Sequence, residues 1–156
     1  FGSRLRYVLN GGRCNIGVES TIINLIDEPS ILRFGGLDIL KIEKILRKKI
    51  LIKIKSNKII APGQLPLHYS PGIPLRTNIK KPKINEAFVL IKKRKITKKN
   101  YYYLSKKNNL NQSAKNLYSL LRKIKKDGYK MIAVERIPNI GIGRTINDRL
   151  KRASRY

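Results

Sequence analysis

The sequence predicts an α/β fold, because short apolar stretches of strand length alternate with stretches of helical periodicity. Residues 87–91 (AFVLI) and 131–134 (MIAV) are the clearest strand candidates. Between them, Leu117, Leu121 and Ile124 recur at the spacing of one helix face. Strands that alternate with helices in this way are typical of a parallel sheet. We therefore expect a small parallel α/β unit in the second half of the chain.

The first 52 residues predict a strand pair followed by a helix. Residues 16–26 alternate their side chains as a half-buried strand does, and residues 31–34 form a return strand that Gly35-Gly36 stops. Asp38 is a favourable N-cap for the helix that follows. We expect the two strands to be neighbours.

Residues 53–83 predict an extended linker. They hold five of the seven prolines. Proline removes a backbone donor and disfavours helix in the residue before it. Little secondary structure is therefore expected across this segment.

Residues 84–156 are expected to fold as a separable α/β unit. After the strand at 87–91, residues 101–104 suggest another strand. Ser113 can cap a helix that Asp127-Gly128 ends, and Thr145, Asn147 or a neighbour can open a final helix. The predicted core consists of Phe88, Leu90, Leu117, Leu121, Ile124, Ile132, Val134, Ile146 and Leu150.

The charge of the chain leaves two interpretations open. Lys and Arg number 36 and Asp and Glu number 9, a net charge of +27. Such a charge attracts phosphate backbones, which favours a nucleic-acid-binding protein. The alternative is compositional drift, because Lys, Ile and Asn all have codons made only of A and T. The single Cys14 can form no internal disulfide, which favours a reducing, cytoplasmic setting.

Four side chains are the main candidates for a site, each with a structural alternative. Ser20, like its neighbour Thr21, offers a hydroxyl to a polar ligand, or lies on the solvent face of an edge strand. Arg33 presents a fork of donors to phosphate or carboxylate, or is a solvated strand residue. His68 and Tyr69, in the proline-rich segment, can cover a ligand, or serve the fold. The Gly141-Ile142-Gly143 turn before the last helix can hold an anion, or is a tight turn.

Five segments, in order and spacing, carry a family resemblance. They are GGRCNIGVESTIINL, ILRFGG, APGQLPLHYSPGIPL, NLYSLLRKIKKDGY and GIGRTINDRLKRAS. Together they resemble the long, two-domain form of the YrdC-type threonylcarbamoyl-AMP synthases, over nearly the whole chain.

The resemblance implies a reaction in which L-threonine, bicarbonate and ATP give threonylcarbamoyl-AMP and pyrophosphate. The product serves the t6A modification of tRNA, so tRNA or proteins of that pathway are further partners. Mg²⁺ would accompany ATP.

By the same resemblance, Ser20 would bind L-threonine, Arg33 would bind ATP, and His68 and Tyr69 would help to cover the nucleotide. Residues 1–52 would be the tail end of a YrdC-like twisted-sheet domain, 53–83 a linker covering the active site, and 84–156 a small Rossmann-like domain.

The chain also departs from the family pattern. The family's Lys/Arg motif for ATP is missing, so we expect a C-terminal fragment that is inactive alone. The alternatives are a small basic nucleic-acid-binding protein without catalytic activity, and an interaction module formed by residues 84–156.

Overall fold

In the part of the chain that the structure describes, the elements build two β-sheets and three α-helices. The structure, a computed structural model, describes residues 2–12, 14–26, 28–54, 60–63 and 69–154. A short 3₁₀ turn opens the chain.

The first sheet has three strands. Strands β1 (Ile22–Asn24) and β2 (Ser30–Arg33) pair antiparallel, and β3 (Leu51–Ile52) pairs with β2 in parallel. Helix α1 (Ile39–Leu46) connects β2 to β3 and begins at Asp38, whose carboxylate accepts a hydrogen bond from the Leu40 N–H. The predicted strand pair and N-cap are confirmed.

The first strand is much shorter than the eleven residues that alternation predicted. The reason is that the backbone before Ile22 bonds to the segment after β2 instead of continuing the ladder. The Gly36 N–H donates to the Glu19 carbonyl at 2.9 Å, and the Thr21 hydroxyl donates to the Leu37 carbonyl at 2.8 Å. Residues 17–21 are therefore an extended segment fastened to residues 36–37.

Gly35 allows this close crossing of two backbones. A Cβ atom at Gly35 would lie 2.1 Å from the Ser20 carbonyl carbon and 2.1 Å from the Thr21 nitrogen. Backbone atoms cannot move aside as the end of a flexible side chain can. A residue without a side chain is therefore required at this position.

The second sheet has four parallel strands in the order β4-β7-β5-β6. They are β4 (Leu75–Arg76), β5 (Glu86–Leu90), β6 (Tyr101–Tyr103) and β7 (Met131–Val134). All three pairings are parallel, which confirms the predicted parallel α/β unit.

Strand β4 extends this sheet into the segment that the prolines predicted to be linker. Leu75 pairs with Ile132 of β7. Arg76 also holds the sheet edge, because its guanidinium makes two hydrogen bonds, of 2.9 and 2.7 Å, to the buried carboxylate of Glu86. The second sheet thus begins before residue 84.

Helix α2 (Leu110–Lys126) begins earlier than predicted. Its N-cap is Asn109, whose side chain accepts a hydrogen bond from the Gln112 N–H. Ser113 is buried within the helix, where its hydroxyl donates to the Asn109 carbonyl, so the prediction of a Ser113 cap is wrong. The end is as predicted, with Gly128 at a φ of +89° just after the helix.

Helix α3 (Gly143–Ala153) also begins before the predicted residue. Its N-cap, Ile142, makes no side-chain capping bond. Thr145 lies inside the helix, where its buried hydroxyl donates to the Gly35 carbonyl at 2.7 Å. Thr145, which was expected to cap the helix, instead joins α3 to the segment that follows the strand pair.

The predicted core residues are all buried, but they divide between two faces of the second sheet. Helices α2 and α3 cover one face, and Phe88 and Leu90 lie on the other face with Ala133. The first sheet has a smaller core of its own. The helix-side core includes Ala87, Val89, Leu117, Leu121, Ile124, Ile132, Val134, Ile146 and Leu150.

Within the described residues, no helix is both long and apolar enough to cross a membrane.

Replacing Gly35 by Ala tests the close crossing. Because the added methyl would overlap backbone atoms, we expect G35A to lower the free energy of unfolding by about 2 kcal/mol or more. G11A is the matched control, since a Cβ at Gly11 meets nothing within 4 Å. Urea denaturation compares the two, and equal stability of both variants would contradict the steric argument.

Candidate functional site

Arg33 joins the strand pair to the proline-rich segment. It lies at the end of β2 and is 9% exposed. Its Nε donates to the Ser20 carbonyl at 3.1 Å, its Nη2 donates to the Ser20 hydroxyl at 3.1 Å, and its Nη1 donates to the Pro62 carbonyl at 3.2 Å. A guanidinium has five N–H groups, so two of them have no acceptor among the residues that the structure describes.

The extended segment 17–21 sends successive side chains to different partners. Ser20 is exposed and meets Arg33. Glu19 contacts Arg149 of α3, and Thr21 bonds to Leu37. Thr21 therefore serves the fold, whereas Ser20 and Glu19 each face a guanidinium.

Arg149 is fully buried, and nearly every direction around its guanidinium is occupied. Its Nε and Nη2 donate to the Glu19 carboxylate at 3.1 and 3.0 Å, and Nη2 also donates to the Phe34 carbonyl at 2.7 Å. Its Nη1 pairs with the neighbouring Asp148. Its Cζ lies 4.6 Å from the ring centroid of Tyr69, within range of a cation–π interaction.

Burial and charge act against each other at this pair. Burial alone would raise the pKa of Glu19, but hydrogen bonding and the Arg149 charge outweigh it and hold that pKa below its ordinary value. Burial likewise opposes the charge of Arg149, but Glu19, Tyr69, Tyr118 and Asp148 together outweigh it, so the pKa of Arg149 is raised. Burial, with Glu19 nearby, raises the pKa of Tyr69 to about 12.

Tyr69 lies between the contacts of Arg33 and those of Arg149. A Cβ at Gly63 would lie 2.5 Å from the Tyr69 hydroxyl and 3.4 Å from Cδ of Arg33, so Gly63 lies between them. On its other side, the Tyr69 ring stacks on Tyr118, with centroids 5.6 Å apart. Glu19, Tyr69 and Tyr118 line a cavity of about 570 Å³, together with Ser70, Pro71, Leu121, Arg122 and Lys125.

The structure brings together three of the four candidate side chains. Ser20 and Arg33 are hydrogen-bonded, and Tyr69 lies across Gly63 from Arg33. His68 lies outside the described residues. Sequence analysis missed Arg149, although it belongs to the GIGRTINDRL segment that carried part of the resemblance.

Other parts of the described structure offer weaker candidates for a functional site. No group of three or more His, Cys, Asp or Glu side chains there is close enough to hold a metal ion. At the turn before α3, a Cβ at Gly143 would lie 2.1 Å from the Pro138 carbonyl oxygen, which explains that glycine by packing.

The chain is similar to a known protein family and to several known proteins. A family model described as "Threonylcarbamoyl-AMP synthase, C-terminal domain" matches residues 38–155. The chain belongs to this family.

Individual relatives extend the match to the whole chain. The threonylcarbamoyl-AMP synthase of Pyrococcus abyssi (strain GE5 / Orsay) is 29% identical over 177 residues, which cover 100% of this chain and 51% of the relative. The synthase of Bacillus subtilis (strain 168) is also 29% identical, over 97% of this chain and 49% of its own length. The chain thus spans about half the length of these relatives.

Solved structures agree with this match. The crystal structure of P. abyssi Sua5 complexed with L-threonine superimposes with a TM-score of 0.77 at 27% identity, over 92% of this chain and 48% of the other. A variant of that protein with an adjacent His and Tyr changed to Ala gives a TM-score of 0.69 at 26% identity.

Removing the buried guanidinium should strongly destabilise the fold. Because R149A leaves the partly buried Glu19 without its guanidinium partner and Asp148 with Arg152 alone, we expect a loss of about 3–5 kcal/mol in the free energy of unfolding. K151A, an exposed position on the same helix, is the control and should change it by less than about 0.5 kcal/mol. Urea denaturation measures both, and an equally small effect for R149A would contradict the role given to it.

Acid should weaken the same contact. The pKa of Glu19 is lower in the folded state, so its stabilisation is complete above about pH 4.3 and is lost as pH falls through the lowered value. We expect E19Q to be less stable than the wild type at pH 7 and to lose less stability between pH 5 and 3. Parallel pH profiles of the two proteins would show that Glu19 is not responsible.

Proposed function

We propose that this chain takes part in making threonylcarbamoyl-AMP from L-threonine, bicarbonate and ATP, with release of pyrophosphate. The product would serve the t6A modification of tRNA. One observation carries the proposal: Arg33 bonds at once to Ser20 and to Pro62, so that the extended segment 17–21, strand β2 and the proline-rich segment meet at one place. The names of the relatives support the same reaction.

Ser20 is proposed to bind L-threonine. Its oxygen accepts a hydrogen bond from Arg33, which leaves its own O–H to donate to a substrate oxygen. The solved relative that superimposes on this chain was crystallised with L-threonine. An exposed hydroxyl held in position by a buried guanidinium suits that role.

Arg33 is proposed to contact ATP through the two N–H groups that bond to no acceptor in the described ranges. A guanidinium at this point offsets negative charge on the nucleotide as pyrophosphate departs. The described residues include no cluster that fits Mg²⁺, so this part of the chain is given no role in holding that ion.

Tyr69, with His68, is proposed to cover the substrates. Tyr69 is held between Arg149 and Tyr118, next to the segment that Arg33 anchors. The solved variant of the relative lacks an adjacent His-Tyr pair, and His68-Tyr69 is the one such pair in this sequence. A cover that excludes water would protect the intermediates, because both carboxythreonine and the mixed anhydride hydrolyse easily.

The proposal divides the chain as the resemblance suggested. Residues 1–52 would supply the end of a YrdC-like domain, residues 53–83 would cover the active site, and residues 84–156 would form a Rossmann-like domain. The location is proposed to be cytoplasmic. Arg76, near the end of the second segment, bonds to Glu86 of the third, which ties that end to the third segment.

The proposal is tested by pyrophosphate release that depends on both threonine and bicarbonate. We expect no turnover from the purified chain alone, because it supplies only one side of the site. Turnover is expected when the N-terminal half of the P. abyssi synthase is added. Turnover by the chain alone would contradict the division of the site, and no turnover in the mixture would contradict the function.

Arg33 gives the matched variant for this assay. R33K keeps the charge but loses the fork of donors, so we expect the rate in the mixture to fall by about 10²–10³. R47K, an exposed arginine after α1, is the control and should leave the rate unchanged. Equal rates for the two variants would remove Arg33 from the site.

A further inference from the structure

A second concave surface lies at the amino ends of the parallel strands of the second sheet. A groove of about 820 Å³ is formed by the chain just before β5, just before β6, and between α2 and β7. We call it the amino-edge groove. It shares no lining residue with the cavity beside Tyr69, and the proposed synthase chemistry does not use it.

Two aromatic rings line this groove. Tyr102 and Tyr129 make an edge-to-face contact, with centroids 5.8 Å apart and ring planes at 89°. The Tyr102 hydroxyl donates to the Asp127 carboxylate at 2.6 Å. Both rings also pack on the helix-side core, so they are held in place rather than free to rotate into solvent.

The charges around the rings are mostly positive. Lys99 and Lys130 line the groove and are exposed, and neither forms a salt bridge with any residue in the described ranges. Asp127 is the acidic residue of the lining, but Lys123 bonds to it at 2.6 Å and offsets its charge. The Lys123 ammonium also lies 5.8 Å from the Tyr102 ring centroid.

Position in a helix explains the presence of Lys123 but not that of Lys99 and Lys130. Lys123 belongs to the last turn of α2, where cations stabilise the helix dipole. Lys99 and Lys130 lie outside the helices, so that reason does not apply to them. Anchored tyrosine rings beside unpaired lysines match what single-stranded nucleic acid needs, namely faces for its bases and cations for its phosphates.

We propose that the amino-edge groove binds single-stranded nucleic acid. Its bases would stack on Tyr102 and Tyr129, and its phosphates would lie near Lys99 and Lys130. This binding is independent of the proposed function. RNA and DNA share the chemistry used here, and the experiment distinguishes them.

The test is fluorescence anisotropy of the full chain with a labelled oligouridine of about 12 nucleotides, a length within the usual range of such sites. For K99Q/K130Q, we expect the slope of log affinity against log salt to fall by about 1.4, since each phosphate contact on a single strand contributes about 0.7. The control K41Q/K44Q removes the same charge from exposed positions on α1 and should leave the slope unchanged.

The tyrosine variants separate stacking from charge. Y129L should weaken binding by roughly 5- to 100-fold, whereas Y129F, which keeps the ring, should bind as the wild type does. The control Y7L removes a tyrosine that is 87% exposed elsewhere. Thermal melts establish that each variant is folded before its binding is compared.

Four results would overturn the proposal. They are no binding at moderate salt, equal slopes for the two double-lysine variants, equal binding by Y129L and the wild type, and equally tight binding of heparin that Y129L leaves unchanged. Tighter binding of oligouridine than of the matching DNA would assign the site to RNA, and equal binding would assign it to single strands of either kind. Either of these two results upholds the proposal.

Discussion

The candidate site depends on one buried cation. Taking the guanidinium of Arg149 out of water is costly, and the fold offsets that cost with a carboxylate of Glu19, the carbonyl of Phe34, Asp148 and the ring of Tyr69. These partners come from α3, the extended segment before β1, the end of β2 and the proline-rich segment. Because a planar fork of donors satisfies them together, a lysine could not replace it without loss. One side chain thus fixes how four parts of the chain meet.

The geometry at Ser20 follows from that arrangement. Gly35 lets the backbone after β2 cross the Ser20–Thr21 peptide at a distance that no side chain would permit. The crossing leaves Ser20 on the side of Arg33 and Glu19 on the side of Arg149. A short extended segment between two guanidinium groups is therefore the physical basis of the site, and the sheets mainly hold its ends.

Sequence patterns correctly predicted the features of the fold that depend on periodicity or on a single residue. The parallel sheet, the helix end at Gly128 and the Asp38 cap all follow from periodicity or from the demands of one residue. Arg149 was missed because, in a chain with 36 basic residues, burial of one arginine leaves no mark in composition. The strand at residues 16–26 was predicted too long because the hydrogen bonds before Ile22 go to residues 36–37, just beyond β2, instead of continuing the ladder. The roles of Ser20, Arg33, His68 and Tyr69 stay proposals.

The contact between Glu19 and Arg149 joins residues that are 130 positions apart. On a ribosome, the first partner is made long before the second, and at typical synthesis rates the interval is on the order of ten seconds. During that time the carboxylate of Glu19 lacks the buried guanidinium that holds it in the folded protein. The pocket that depends on this pair can thus close only after α3 has been translated, so the order of assembly is set by the 130 codons that separate Glu19 from Arg149.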